Sequence, residues 1–326
     1  MPLKSAALAA AVLLSTLCCD LASAQAQSFP SKPVRIVVGY APGAGVDVMV
    51  RLVADGLTQY WGKSVVVDNR PGASGIISIQ EAMKSKPEGY DYVFGDLGNM
   101  AINASYYRKL PYDPQKDLVP VVDLFWVPFI AFVSKDAPYK NLQDLVAAAK
   151  TAPGKLSYAS TGTGSPLFAA AELFKLKSGV DMLQVPFKDM GQMLTMVATG
   201  EVALVVTSVA TVRPMLARLK PLAIASRQRL PEFPDIPTSQ EAGGSPEFEV
   251  MAWGAVAALR GTPKPILERF RADAIRVMQR PELREKASNL GFTLSLGKTS
   301  EEMSDFIRSE IDRYREVINA TGARGD

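Results

Sequence analysis

One local pattern occurs twice in this chain: a short apolar run, a glycine-rich turn and an amphipathic segment. Residues 34–38 are apolar at four of five positions, as in a strand that is buried on both faces. Residues 40–45 form the turn, and the apolar residues after Asp47 recur at helical spacing. Residues 156–178 repeat this order, with Pro166 at the first helical position. Together with strand and helix signals that alternate along the rest of the chain, this predicts an α/β fold with parallel strands.

Each turn predicts an anion-binding site. The N-terminus of a helix presents unpaired N–H groups and the positive end of its dipole, and we predict Asp47 as the N-cap of the first helix. Two such turns that face each other from two domains would hold an anion between them, although each is also explained as an ordinary strand-to-helix connection. The predicted binding residues are Tyr40, Ala41, Pro42, Gly43, Ala44, Gly45 and Asp47, then Ser160, Thr161, Gly162, Thr163, Gly164 and Ser165, with Gly95 and Gly98 from a loop predicted after a strand over residues 90–94.

Chain length and two extended runs predict the domain organisation. Roughly 300 mature residues exceed what a single core usually covers, so we predict two domains. The apolar runs at residues 121–133 and 250–259 are predicted to cross between them. The last helix opens with a capping box at Thr299 and Glu302, and the C-terminal helices are predicted to pack back on the first domain. The predicted boundaries are 28–124 for the first part of domain 1, 125–251 for domain 2 and 252–326 for the C-terminal part of domain 1.

The first residues have the features of an export signal. Lys4 precedes an apolar run at residues 6–17, and small residues at 22–24 supply a cleavage site. The run is too short to span a bilayer as a mature helix. A lipoprotein signal is the alternative, because Cys18 and Cys19 end the run, but the small residue expected just before such a cysteine is absent. We predict a cleaved signal peptide over residues 1–24.

Composition excludes several classes of site. The sequence has no histidine and both cysteines lie in the predicted signal peptide, which excludes His-based triads, thiolate nucleophiles, disulfides and thiolate zinc sites. A net charge of +3 without a dense basic cluster predicts no nucleic-acid partner. Neither turn carries a nucleotide P-loop, a full dinucleotide fingerprint or a nucleophile elbow. Asp47, Asp96, Lys188 and Asp189 lie at loop edges and are better explained as caps or surface charges than as catalysts. We predict no enzyme activity, no metal and no cofactor.

Motifs along the whole mature chain resemble those of a known family. The resemblance is to the receptors of tripartite tricarboxylate transporters, the Bug-type periplasmic solute-binding proteins. It runs in register through essentially all of the mature chain. The segments that carry it are residues 29–38, 42–47, 67–73, 110–114, 153–160, 171–174 and 235–238.

The resemblance implies a fold, a site and a partner. The implied fold is a two-domain Venus flytrap of the periplasmic-binding type, type II-like, with a parallel or mixed sheet flanked by helices in each domain. Members of the family typically hold a carboxylate between the domains through backbone groups and waters on two strand-to-helix loops, which match residues 40–47 and 160–166 here. The implied location is the periplasm, and the implied partner is a membrane permease with a large and a small subunit.

The chain also departs from the usual pattern of the family. Phe168 lies in the segment where many relatives carry a histidine, and Thr207 and Ser208 stand where amino-acid receptors tend to have an aspartate. A ligand amino group would therefore lack its partner. With Trp126, Phe168 and Phe187 expected to line the cleft together with Thr207 and Ser208, we predict an organic acid with an apolar or aromatic body and no amino group.

Two other functions remain open at this point. The same fold could signal its closed form to a membrane sensor, because one sequence does not reveal which surface reports closure. An exported enzyme that uses carboxylates is less favoured, since no acid–base pair occurs at an informative spacing.

Overall fold

The structure, a computed structural model, describes residues 29–230, 233–295 and 297–325. The predicted signal peptide, residues 1–24, lies outside the described residues. Two β-sheets, each flanked by helices, make up the described part, which confirms the predicted α/β fold with two domains. Across these residues no helix is both long and apolar enough to cross a membrane.

Strands and helices alternate through most of the chain. The strands are β1 (Val34–Val38), β2 (Val65–Asn69), β3 (Asp91–Asp96), β4 (Leu118–Pro128), β5 (Ile130–Ser134), β6 (Ser157–Ser160), β7 (Leu183–Pro186), β8 (Leu204–Thr207), β9 (Leu219–Ile224), β10 (Met251–Leu259) and β11 (Thr293–Leu294). The helices are α1 (Gly45–Trp61), α2 (Ile76–Ala82), α3 (Asn103–Tyr106), α4 (Leu142–Thr151), α5 (Pro166–Ser178), α6 (Met190–Ala198), α7 (Val209–Val212), α8 (Lys264–Met278), α9 (Pro281–Asn289) and α10 (Ser300–Thr321). A π-helix covers Leu97–Ile102, and short 3₁₀ turns cover Ala73–Gly75 and Arg213–Arg218.

Both sheets are mixed. The first has the order β11-β4-β10-β3-β1-β2, with β1 parallel to β2 and β3 and with β10 antiparallel to β3 and β4. The second has the order β7-β6-β8-β5-β9, with β6 parallel to β7 and β8 and with β5 antiparallel to β8 and β9. We call each sheet with its helices a lobe. The glycine-rich turns follow the carboxyl ends of parallel strands in both lobes, as the sequence predicts.

The chain changes lobes in a short hinge. β4 ends at Pro128 in the first sheet and β5 follows in the second, so residue Phe129 makes the crossing. The N–H of Phe129 donates to the Val250 carbonyl at 2.9 Å, that of Val250 to the Ala225 carbonyl at 2.9 Å, and that of Ala225 to the Phe129 carbonyl at 2.8 Å. These three residues, which we call the hinge residues, connect the two segments in which the chain passes from one lobe to the other. The boundaries at 124/125 and 251/252 stay a prediction.

Several helices begin at the residues that local sequence signals indicate. Asn141 and Asp189 cap α4 and α6, because each accepts a hydrogen bond from an N–H three residues on. Thr299 and Glu302 form the predicted capping box of α10. Pro166 is the first residue of α5. Each of these features depends on neighbours in sequence, which explains the agreement.

The last helix, α10, contacts the second lobe as well as the first, on which it was predicted to pack. The Phe306 ring lies 4.7 Å from the Trp126 ring of β4. Near the other end of the helix, Glu316 Oε1 lies 3.4 Å from Lys177 Nζ of α5 in the second lobe. The amphipathic pattern of a helix predicts that one of its faces will be buried, but it does not show which element covers that face.

Candidate functional site

A cavity of about 210 Å³ lies between the lobes, where turns that follow strands of both sheets meet. Ligands of open α/β sheets commonly bind at this position, beyond the carboxyl ends of the strands. The cavity is therefore the candidate binding site. It is lined by Gly39, Tyr40, Gly72, Ser74, Gly75, Asp96 and Gly98 of the first lobe and by Thr161, Gly164, Ser165 and Pro166 of the second.

The N-terminus of α5 forms the second-lobe wall. Ser165 Oγ accepts a hydrogen bond from the Phe168 N–H at 3.2 Å, and Pro166 occupies the first helical position. The dipole of this helix, 13 residues long, directs its positive end at the cavity. Ser160 is fully buried and accepts from Gln184 Nε2 at 2.8 Å, so it supports the turn without lining the cavity.

Asp47 does not cap α1, in contrast to the prediction. The helix already begins at Gly45, and the Asp47 carboxylate is buried beneath the turn. Asp47 Oδ2 accepts from the Gly43 N–H at 2.8 Å and from Arg51 Nε at 3.0 Å, and Oδ1 accepts from Asn69 Nδ2 at 2.7 Å. Burial alone would raise the pKa of Asp47, but the hydrogen bonds from Arg51 and Asn69 outweigh it and hold that pKa below its ordinary value. Asp47 thus fixes the turn from below.

A left-handed turn forms a second part of the first-lobe wall. Four successive residues, Gly72, Ala73, Ser74 and Gly75, have φ values of 128°, 46°, 51° and 83°. Such φ values are costly for the alanine and the serine, and strained backbone of this kind is concentrated at binding sites. Asn103 Nδ2 donates to the Ser74 carbonyl at 3.0 Å and holds the turn in place.

A buried carboxyl group faces the cavity from the end of β3. Tyr40 donates its hydroxyl to Asp96 Oδ2 at 2.7 Å, and the Asn99 N–H donates to Asp96 Oδ1 at 2.9 Å. The Asp96 N–H donates in return to Asn99 Oδ1 at 2.8 Å, which makes Asp96 the cap of the π-helix and replaces the loop predicted there. Burial raises the pKa of Asp96, although these donors oppose the shift. Burial and the neighbouring carboxylate raise the pKa of Tyr40 well above its ordinary value.

The structure brings together only part of the predicted site. Of the predicted residues, Tyr40, Gly98, Thr161, Gly164 and Ser165 line the cavity. The lining residues absent from the predicted set are Gly39, Gly72, Ser74, Gly75 and Asp96, together with Pro166, which ends the loop over residues 160–166 that the resemblance implied. Each of these lies beside or within a glycine-rich turn, which is the signal that could have found them. The predicted residues outside the lining are Ala41, Pro42, Gly43, Ala44, Gly45, Asp47, Gly95, Ser160, Gly162, Thr163, Phe168, Phe187, Thr207 and Ser208.

The three aromatic residues that the sequence predicted for the cleft do not line this cavity. Phe168 is 3% exposed in the core, because α5 is buried on all sides over its first turns. The Trp126 ring packs against the Phe306 ring of α10, and Phe187 is partly buried against the hydrophobic core. Thr207 is fully buried, and Ser208 caps the short helix α7, so neither lines the cavity.

A sequence model of the family described as "Tripartite tricarboxylate transporter family receptor" matches residues 49–323. The chain belongs to this family. Among curated proteins this receptor is similar to "Protein BugT" of Bordetella pertussis, with 31% identity over 306 residues and 93% of each chain covered. The resemblance read from the sequence is confirmed.

Solved structures with the same fold support this assignment. One, described as "R. palustris Rpa4515 with adipate", has a TM-score of 0.79 and 32% identity and covers 91% of this chain and 99% of its own. Another, described as "MatC (Rpa3494) from Rhodopseudomonas palustris with bound malate", has a TM-score of 0.76 and 29% identity and covers 89% and 100%. The periplasmic-binding-protein fold is confirmed, and the chain is a solute-binding receptor and not an enzyme.

Proposed function

We propose that this receptor binds a small carboxylic acid in the cavity between its lobes, in the periplasm, and delivers it to a membrane permease. The observation that carries the proposal is the position of the cavity at the N-terminus of α5 and at turns of both sheets. No lysine or arginine is among its lining residues. An anion there is held by backbone N–H groups and helix dipoles, and closure over it uses both lobes.

The volume and the lining of the cavity restrict the ligand. The volume is about 210 Å³. That space fits a small aliphatic acid, in keeping with the adipate and malate named for the two structural neighbours. Tyr40 is the single aromatic residue of the lining, and its hydroxyl is engaged by Asp96. We therefore no longer propose an aromatic body, while the absence of a ligand amino group remains part of the proposal.

Thermal unfolding with a panel of acids tests the proposal. The mature chain should be heated with short monoacids, dicarboxylates, hydroxy acids, amino acids and benzoate, and hits should be confirmed by calorimetric titration. A ligand at 100 times its Kd stabilises the folded state by about 2.7 kcal/mol, which is a visible shift. We expect the shift with small aliphatic acids. Binding of benzoate alone, or of no acid at all, would contradict the proposal.

Two N-cap variants distinguish an effect on stability from an effect on ligand affinity. Replacing Ser165 by alanine removes the acceptor for the Phe168 N–H, and replacing Thr299 by alanine removes the acceptor for the Glu302 N–H. Each change is expected to cost about 1 kcal/mol in urea unfolding, a typical value for an N-cap. Carboxylate affinity should fall for Ser165→Ala, which lies on the cavity wall, and stay unchanged for Thr299→Ala. Equal loss of affinity in both variants would count against a ligand at the N-terminus of α5.

A further inference from the structure

Charge within the cavity is limited to one side chain. Among the lining residues Asp96 is the single acid, and none is a lysine or an arginine. Asp96 is 8% exposed, so its carboxylate is held in a site from which most water is excluded. An acid that enters this cavity meets a carboxylate already there, with no lining cation to offset it.

Two donors hold that carboxylate in place. They are the Tyr40 hydroxyl on Oδ2 and, at the start of the π-helix, the backbone N–H of Asn99 on Oδ1. Both are the contacts of an ionised carboxylate, which accepts and does not donate. The anion-binding position at the start of the π-helix is therefore occupied by the Asp96 carboxylate. A ligand carboxylate therefore binds at the opposite wall, at Ser165 and Pro166.

The distance between the two walls is short. A Cβ atom added to Gly98 would lie 3.1 Å from Asp96 Oδ1 and 3.7 Å from Pro166 Cγ, so the carboxylate and the N-terminus of α5 border the same point. A small ligand bound at α5 consequently brings its neighbouring atoms up to Asp96. An ionised carboxylate accepts at about four positions, and two are used by the protein, which leaves acceptor capacity for the ligand.

We infer that Asp96 is a specificity-determining residue that selects hydroxycarboxylic acids over the same acids without the hydroxyl group. The inference rests on the proposed function and deepens it. A ligand hydroxyl donates to a remaining acceptor position of Asp96, and hydrogen bonds to an ionised group are among the strongest in proteins. A bare acid leaves the buried carboxylate without that donor, and a second ligand carboxylate placed there is repelled.

An ammonium group is the competing donor for this position. It would pair with Asp96 by charge as well as by hydrogen bonds, but it carries three N–H donors that all need partners, and desolvating a cation costs more than desolvating an alcohol. The ligand class is therefore a small hydroxy acid. The preference over the hydroxyl-free analogue is expected to be about 10-fold to 100-fold in Kd, the worth of a hydrogen bond to a charged group.

Matched acids and an isosteric variant test the inference. Malate, succinate and aspartate share one skeleton and differ in a single substituent, as do lactate, propionate and alanine. Calorimetric titration of the wild type should give the tightest binding for the hydroxy acid of each triple that binds. In Asp96→Asn the ratio of Kd values between the hydroxy acid and its plain analogue should fall towards one, while Asp305→Asn, an exposed acid on α10, keeps it. Unfolding curves of the unliganded variants show that both are folded.

The outcomes distinguish this inference from the proposed function. Binding of plain and hydroxy acids with equal affinity, tighter binding of aspartate than of malate, or an unchanged ratio in Asp96→Asn overturns the role of Asp96 and leaves the acid receptor in place. Failure of every acid to bind the wild type overturns the proposed function, and the inference falls with it.

Discussion

Valine in place of Gly98 is expected to lower carboxylate affinity by at least about 100-fold and to leave the chain folded. A Cβ atom at this position would lie 3.7 Å from Pro166 Cγ in the opposite lobe, so the two further methyl groups of valine extend into the gap that both lobes must close. They also take up part of a cavity of about 210 Å³. Loss of both space and closure removes more than 2.7 kcal/mol of binding free energy, which corresponds to the stated factor.

Calorimetric titration with the best ligand of the acid panel measures this effect. Gly297→Val is the matched control, because no atom lies within 4 Å of a Cβ added there and the residue is not part of the cavity lining. Gly98→Ala provides an intermediate step, since its Cβ lies 3.1 Å from Asp96 Oδ1 and only in ordinary van der Waals contact, at 3.7 Å, with Pro166 Cγ. Normal affinity in Gly98→Val would show that the ligand binds elsewhere.

Asp47→Ala is expected to destabilise the folded state by about 3 kcal/mol in urea unfolding. The change removes the acceptor of the Gly43 N–H and of Arg51 Nε and one of the two acceptors of Asn69 Nδ2. A hydrogen bond to a charged group contributes about 1.5 to 3 kcal/mol, and the Asp47 carboxylate that accepts these bonds is buried, whereas Arg51 and Gly43 are open to solvent. Ligand affinity should fall as well, since this network positions the turn that carries Tyr40.

The pH dependence of Asp47→Ala follows from the direction of the pKa shift. The pKa of Asp47 is lower in the folded than in the unfolded state, so its stabilisation is complete above the unfolded value of about 3.9 and is lost as the pH falls through the folded value. The difference between wild type and variant should therefore be full at pH 7 and shrink in acid. Asp55→Ala, an exposed residue on the same helix, serves as control and should change stability by less than about 0.5 kcal/mol. Equal stability of Asp47→Ala and wild type at pH 7 would contradict the role assigned to the network.

The sequence predicted those features that depend on neighbouring residues. The cap at Asp189, the capping box at Thr299 and the first residue of α5 are all set within one helical turn. The alternation of strands and helices also sufficed for the two sheets, because burial on both faces leaves a nearly continuous apolar run in inner strands such as β1 and β5. Fold class and the edge at which the site lies were therefore predictable.

Features that depend on distant residues were not predictable in the same way. Asp47 resembles a cap in the sequence, but Asn69, from the next strand, draws its carboxylate under the turn. Asp96 resembles a loop residue, and only the fold shows that Tyr40 and the opposite lobe enclose it. Phe168 lies in a helix that is apolar on nearly every side, so periodicity could not tell core from cleft.

The helix α10, which rests on both lobes, has a consequence for how affinity can evolve in this receptor. A protein that binds its ligand only in one conformation has an apparent Kd equal to the intrinsic Kd divided by the fraction in that conformation. The contact between Lys177 and Glu316 joins the lobes outside the cavity lining, so exchanging such residues alters the resting population without touching the solute. Retuning uptake to scarce or abundant solute then needs no change in recognition, and the selectivity of the receptor and its working concentration range become separately adjustable.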